Sequence, residues 1–306
     1  MNRPNQRIDD PLWKGIIEHT FAHFLDFVFP DAGKIFDLDR GVEYLDKEFE
    51  RLFPPETNNK GVRYVDKLVK VHLLDGQAKF ILCHIEVQSS KGRDDLAERM
   101  FQYFYRIKDR YKVPITAIAI LADSNRQYSP KLYKEEFMGT SLQYSFNCYK
   151  ILEQDEERLR ANSNPFAVVV LTAQQAILHR HANDEQLMSI KHDLYDEMMK
   201  RKMDRSARQG IYGFLSRYVS FKDRSFFTIF EEEVTAKTGK NSTMGIKEYL
   251  LDKATKEGKR EERAKAEAEK LLEKEQMAKK MLANGFDTKL IADIIGLSIA
   301  DIEKLK

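Results

Sequence analysis

The chain has 306 residues, 51 Lys+Arg against 49 Asp+Glu, and 42% hydrophobic residues, with aromatics making 11% of the whole chain. That is enough apolar material for a sizeable core, and the length suggests roughly two domains. A net charge of +2 excludes a uniformly basic nucleic-acid coat and an acidic solvating tail, so any electrostatic preference must come from local patches.

The N-terminal Met1–Arg7 segment has no apolar stretch, so no signal peptide is expected. The longest apolar runs, Ile115–Ala122 and Ala167–Ala173, fall far short of the ~20 residues a membrane span needs. Cys83 and Cys148 lack a Cys-x-x-Cys partner or a Cys/His cluster and read as buried reduced thiols. A cytoplasmic protein with no membrane association is expected.

In chain order, Asp10-Pro11 reads as an N-cap with proline at the first helical position. Leu12, Trp13, Ile16, Ile17, Phe21, Phe24, Leu25 and Val28 then recur at helical spacing. A short helix is expected near Tyr44–Leu52, stopped by Pro54-Pro55. Two strands follow, Val62–Leu73 and Lys79–Gln88, joined across Asp75-Gly76. In the second, Phe80, Leu82, His84, Glu86 and Gln88 share one face.

An amphipathic helix comes next, capped by Asp94 or Asp95, with Leu96, Met100, Phe104, Ile107 and Tyr111 along one stripe. The continuous apolar run Ile115–Ala122 suits a strand buried on both faces, and Ser141–Leu152 is a further strand candidate. From Asn164-Pro165 the pattern is helical to about Phe221. Residues 251–280 carry ten basic and eight acidic residues and read as a solvated charged stalk. Two short helices, near 288–295 and 299–305, close the chain. The expected division is a core at 1–155, a helical region at 160–250, and a stalk with mini-helical tail at 251–306.

One grouping carries chemistry. Asp66 sits on the first hairpin strand and Glu86-Val87-Gln88 on the second, where period-2 geometry sets Glu86 and Gln88 on one face. A two-residue loop would pair Asp66 with Ile85 and leave it on the wrong face. A three-residue loop, Asp75-Gly76-Gln77, would pair it with Glu86. A site here therefore predicts an odd loop or a bulge. Two carboxylates on adjacent strands offer the hard oxygen ligands that Mg²⁺ or Mn²⁺ prefers, and such an ion can polarise a phosphodiester. Gln88 can orient water by hydrogen bonds, but lacks the positive charge a lysine would bring to the transition state. Acids on exposed strand faces are also ordinary surface features.

The stretches Val65-Asp66-Lys67-Leu68-Val69, His84-Ile85-Glu86-Val87-Gln88-Ser89, Glu98-Arg99-Met100-Phe101-Gln102-Tyr103 and Asp109-Arg110-Tyr111 resemble the recombination-promoting nuclease (Rpn) family. That family is also described as transposases and belongs to the PD-(D/E)XK nuclease superfamily. The resemblance covers residues 10–152, and Leu282–Gly285 with the Gly296-Leu297-Ser298 segment is similar to the tail such proteins often carry. It implies an α/β, restriction-endonuclease-like core with a mixed sheet: helix, antiparallel strands, crossover helix, further strand. It also implies Mg²⁺-dependent DNA cleavage linked to recombination or mobile elements. On this resemblance Asp66 and Glu86 match the metal carboxylates, and Gln88 stands where the superfamily most often has lysine. The superfamily often adds an acid from the first helix, for which Glu18 is the candidate and Glu43 and Glu48 the alternatives.

Arg99, Tyr103, Arg106 and Arg110 lie on the flank of the helix after Glu86 and could grip DNA phosphates beside the metals, Arg99 and Tyr103 being the substrate-binding candidates. The bland alternative is a solvated face with Glu98 and Asp109 as partners. His179, His181 and His192 read as surface residues. The two terminal helices have helix-turn-helix spacing, but Asp301 and Glu303 on the last one favour a packing or protein-contact module. Ala264, Ala268, Leu271, Ala278 and Leu282 form a seam, interrupted by Glu275, through which a homo-oligomer could form. Two other readings stand beside the nuclease: a nuclease-like module that binds DNA or protein without turnover, and an interaction protein working through stalk and tail.

Overall fold

A computed structural model describes residues 6–45, 65–86, 96–238, 276–282, 284, 287–295 and 302–303. Two compact units are distinguished, Met1–Val234 and Thr235–Lys306. The first is mixed α/β.

Helix α1 spans Gln6–Val28 and buries Trp13, Ile16, Ile17, Phe21, Phe24 and Leu25, the stripe expected from the periodicity. It begins before Asp10, so Asp10 is not its cap. Pro11 withholds only the bond to the Arg7 carbonyl and its fixed φ is helical, so the first turns tolerate it. The helix kinks at Thr20 (φ −129°, ψ 21°), whose hydroxyl donates to the Ile16 carbonyl at 2.6 Å. A single helical turn, α2 (Ala32–Ile35), follows.

Strand β1 is Glu43–Tyr44, not the start of a helix, because both residues pair with the next strand. Glu43 lies opposite Lys70, and their side chains meet at 3.0 Å. Residues 46–52 of the helix expected there lie outside the described residues. Strands β2 (Val65–His72) and β3 (Ala78–Glu86) form an antiparallel hairpin, helix α3 (Leu96–Tyr111) crosses over, and β4 (Ile115–Leu121) returns parallel to β3. The cap candidates Asp94 and Asp95 lie outside the described residues.

The expected strand at 141–152 is two strands, because Phe146 turns inward and separates ladders with different partners. Strand β5 (Leu132–Phe137), which no alternation announces, pairs with β6 (Thr140–Ser145) as a separate hairpin. Strand β7 (Asn147–Lys150) instead joins the main sheet parallel to β4. The main sheet thus runs β1-β2-β3-β4-β7.

On one face, Leu68, Ala117, Ala119 and Leu121 pack with Leu96, Ala97, Met100 and Ile107 of α3. The opposite face carries Val69, Val71, Ile118 and Ile120, and α1 lies against β2 there. Helix α4 (Glu156–Ala161), α5 (Phe166–Leu178), α6 (Asp184–Met199), α7 (Arg205–Tyr218) and α8 (Arg224–Thr238) follow. Helix α5 is buried around most of its circumference, as a central helix must be when apolar on all sides. Trp13 meets Phe214 of α7 edge-on at 5.0 Å, and Phe24 meets Phe166 of α5 at 5.1 Å. The helical region therefore shares its core with α1.

In the second unit, α9 spans Thr288–Ile295, close to the expected 288–295. Ala278, Ile291 and Ile302 form a small buried cluster with Met281, Leu282 and Ala292 against it. Ala278 and Leu282, two positions of the expected oligomer seam, thus pack within the tail. Positions 264, 268, 271 and 275 lie outside the described residues.

Candidate functional site

The register of the β2–β3 hairpin decides what can meet what. The loop has three residues, Leu74-Asp75-Gly76, closed by Leu73 N–H to the Gln77 carbonyl (2.7 Å) and Gly76 N–H to the Leu73 carbonyl (2.9 Å). Gly76 takes the left-handed φ of +83° that ends such a loop, and Asp75 Oδ1 accepts from Gln77 N–H at 2.9 Å. The odd loop is as expected, but it starts one residue earlier than Asp75. Asp66 consequently pairs with His84, and Val65 with Ile85. Asp66 is diagonal to Glu86, not directly opposite it.

The parity is nevertheless preserved. Positions 66, 84 and 86 share the face of Leu68, because Leu68 is opposite Leu82 and strand residues alternate. Independently, Leu82, His84 and Glu86 pair with Ala117, Ala119 and Leu121, all in the α3 cluster. Positions 66 and 86 therefore occur on the α3 face, at the end of the sheet where β2 begins and β3 stops. Gln88 and Glu48 lie outside the described residues. Two carboxylates on neighbouring strands make a hard-oxygen donor set, of the kind that suits Mg²⁺ or Mn²⁺. Among the described side chains, no group of three or more His, Cys, Asp or Glu could hold a metal ion.

Glu18 projects from α1 to the other face of the sheet. Its Oε1 accepts from Lys67 Nζ, which is buried and also lies 5.0 Å over the Tyr44 ring. The Tyr44 hydroxyl donates to the Glu18 carbonyl at 3.2 Å. Glu18 is thus tied to an odd-numbered position of β2, whereas Asp66 is an even one. Glu43, its alternative, is paired with Lys70.

On α3, Arg99 and Tyr103 are half-buried, Tyr103 against the α3 cluster, while Arg106 and Arg110 are exposed. Arg110 lies 5.7 Å over the Tyr111 ring. Glu98 accepts from Gln102 (3.2 Å) and Asp109 from Lys112 (2.7 Å). His179 and His181 are exposed. His192 is not a surface residue without partners: its Nε2 is 2.5 Å from Glu233 and its ring 5.1 Å from Phe230, because α8 packs over α6 there. Cys148 is free and half-buried, with burial pushing its thiol pKa up.

Three buried lysines escaped the sequence reading. Lys67 had a signal, since it interrupts the apolar series Val65, Val69, Val71 on one strand face. Lys150, at the end of β7, donates to Asp123 Oδ2 at 2.5 Å, and both are buried. Asp123 Oδ1 accepts from Asn125 N–H at 2.7 Å, which fixes the turn leaving β4. Lys191 on α6 donates to the Ser216 carbonyl at 2.8 Å, with Phe221, Phe230 and Phe227 rings 4.0, 5.1 and 5.5 Å away. Burial pushes its pKa down to about 7.

Among the described residues, no helix is long and apolar enough to cross a membrane. No family model, no curated protein and no solved structure matches this chain.

Proposed function

We propose that this chain is a metal-dependent DNA endonuclease built on a PD-(D/E)XK-like core of the recombination-promoting nuclease type, acting in the cytoplasm. The observation that carries the reading is the β2–β3 register, with positions 66 and 86 on one face at one end of two adjacent strands. The helix, antiparallel hairpin, crossover helix and parallel return strand are the element order that the resemblance implies. Asp66 and Glu86 would hold Mg²⁺ or Mn²⁺, which when bound supplies Lewis-acid polarisation of a phosphodiester. The Gln88 amide orients the attacking water. Arg99 and Tyr103, on the helix that packs against that face, take phosphate oxygens of the DNA. Glu18 acts on this site through Lys67 and the start of β2.

The test is nicking of supercoiled plasmid with Mg²⁺ or Mn²⁺. Asp66→Ala and Glu86→Ala should each abolish it. Nicking at the wild-type level in both variants would sink the assignment. The uncharged Gln88 favours a second reading, a nuclease-like module that binds DNA without turnover. Metal-independent retention of plasmid in a gel shift, with no nicking in either metal, would support that reading instead.

A further inference from the structure

We propose that the β5–β6 hairpin is a self-association surface, its β6 edge adding in antiparallel fashion to the β6 edge of a second copy of this chain. The hairpin stands apart from the main sheet. Among the described residues, β6 pairs only with β5. Its base is fastened to α3 by Phe101 stacked on Tyr133 (5.3 Å) and by Phe104 against Tyr144 (4.9 Å). Beyond that base, both faces from Lys134 to Gln143 are exposed apart from half-buried Leu142. A two-stranded ribbon of this kind gains most from a further strand.

The two edges of the ribbon differ. Phe146 N–H donates to the Lys131 carbonyl at 3.1 Å, so the inward-bonding positions of β6 are 140, 142, 144 and 146. Ser141, Gln143 and Ser145 therefore turn their backbone N–H and C=O groups outward. On β5 the outward positions include Lys134 and Glu136, whose side chains meet at 3.3 Å. That edge carries the charges which ordinarily keep a foreign strand away. The β6 edge, Thr-Ser-Leu-Gln-Tyr-Ser, has no charge and no proline.

The β6 edge is also self-complementary. With the two-fold axis at Gln143, Gln143 faces Gln143 of the second copy, Ser141 faces Ser145, and Leu142 faces Tyr144. Outward backbone groups meet outward groups throughout, no like charges are opposed, and each Leu–Tyr pair is a favourable cross-strand contact. The tip is apolar and strained in the same place. Phe137 is 72% and Met138 87% exposed, and Met138 adopts a left-handed φ of 47° beside Gly139 at 86°. In the paired ribbon this tip lies along the base of the second hairpin and leaves water. An acidic partner surface or nucleic acid is a poorer occupant, since the β6 edge offers no cation to either.

The experiment is sedimentation velocity on the full chain. Wild type should dimerise at micromolar concentration. Gln143→Lys and Gln143→Glu, each opposing like charges at the axis, should each weaken the dimer about fivefold or more. Mixing the two should restore it as a heterodimer. Gln143→Cys should give an intermolecular disulfide under mild oxidation that wild type, with Cys83 and Cys148 only, does not. A monomeric wild type would overturn the proposal. So would a dimer indifferent to both charge variants and not cross-linked through position 143, which would locate the contact elsewhere, such as the C-terminal helix.

Discussion

The Glu18 carboxylate receives a hydrogen bond from the Lys67 ammonium, joining the middle of α1 to β2 across 49 residues. Lys67 is 1% exposed and Glu18 46%, so a buried cation is bonded to an acid that water still reaches. Removing the acid takes away one charged partner of a buried ammonium, which costs more than losing an exposed pair. Glu18→Ala should lower stability by about 1–2 kcal/mol, the pair being discounted for the solvent at Glu18. Glu18→Gln, which retains the acceptor, should lose less, and Glu18→Ala/Lys67→Met should recover much of the loss. Urea midpoints at constant m-value measure all three. Plasmid nicking by Glu18→Gln then separates any role in chemistry from this structural one.

Asp123 and Lys150 are a stricter case, because neither side chain sees solvent. Asp123→Ala should destabilise the protein by roughly 3–5 kcal/mol, leaving the Lys150 ammonium buried without its carboxylate. Asp123→Leu/Lys150→Met, which removes both charges, should be much closer to wild type. Thermal unfolding of the single and double variants reads the difference. Equal losses in both would show that the turn at Asn125, not the ion pair, is what Asp123 sustains.

Gly210 marks a close approach of α1 and α7. A Cβ built there would lie 2.5 Å from the Cβ of His19, nearer than side chains pack. Gly210→Ala should therefore destabilise by about 1–3 kcal/mol even though alanine is the better helix former. An unchanged or raised melting temperature would mean the two helices can part without loss.

Lys191 predicts a pH dependence. Burial lowers its folded-state pKa to about 7, with Glu231 acting in the opposite sense. In the unfolded chain the same group titrates near ~10.4, so between about pH 7 and 10 the unfolded state binds more protons. This residue thus makes stability rise with pH through that window, and its penalty is full below it. Lys191→Met should be more stable than wild type at pH 7, with the difference shrinking towards pH 10. Denaturation midpoints at pH 7 and 9.5 give the comparison. A difference that does not change with pH would mean Lys191 stays charged among the Phe221, Phe227 and Phe230 rings.

Much of the first unit was legible locally. The stripe from Leu12 to Leu25 and the run Ile115–Ala122 have one arrangement each that buries them, so periodicity alone locates α1 and β4. The hairpin and the common face of Asp66 and Glu86 also follow, once an odd loop is granted. The choice of loop is not local. Leu74-Asp75-Gly76 and Asp75-Gly76-Gln77 differ by one residue of closure. Around the loop, the Phe36–Leu73 bridge, Asp37 N–H to the His72 carbonyl and Leu74 N–H to the Ile35 carbonyl engage the strand end. Strand β5 has no alternation to betray it, because every residue of Leu-Tyr-Lys-Glu-Glu-Phe except half-buried Tyr133 is exposed.

By itself the sequence determined which segments must be buried and which acids could share a strand face, since both rest on spacing along one element. Only the tertiary structure decided the partners. It set Asp66 against His84, turned Glu18 to Lys67 on the other side of the sheet, and split the strand at 141–152 between two sheets. It also buried Lys67, Lys150 and Lys191. The physical reason is common to all four outcomes. A charge or a strand edge is satisfied by whatever lies opposite it, and what lies opposite is fixed by packing between segments far apart in the chain.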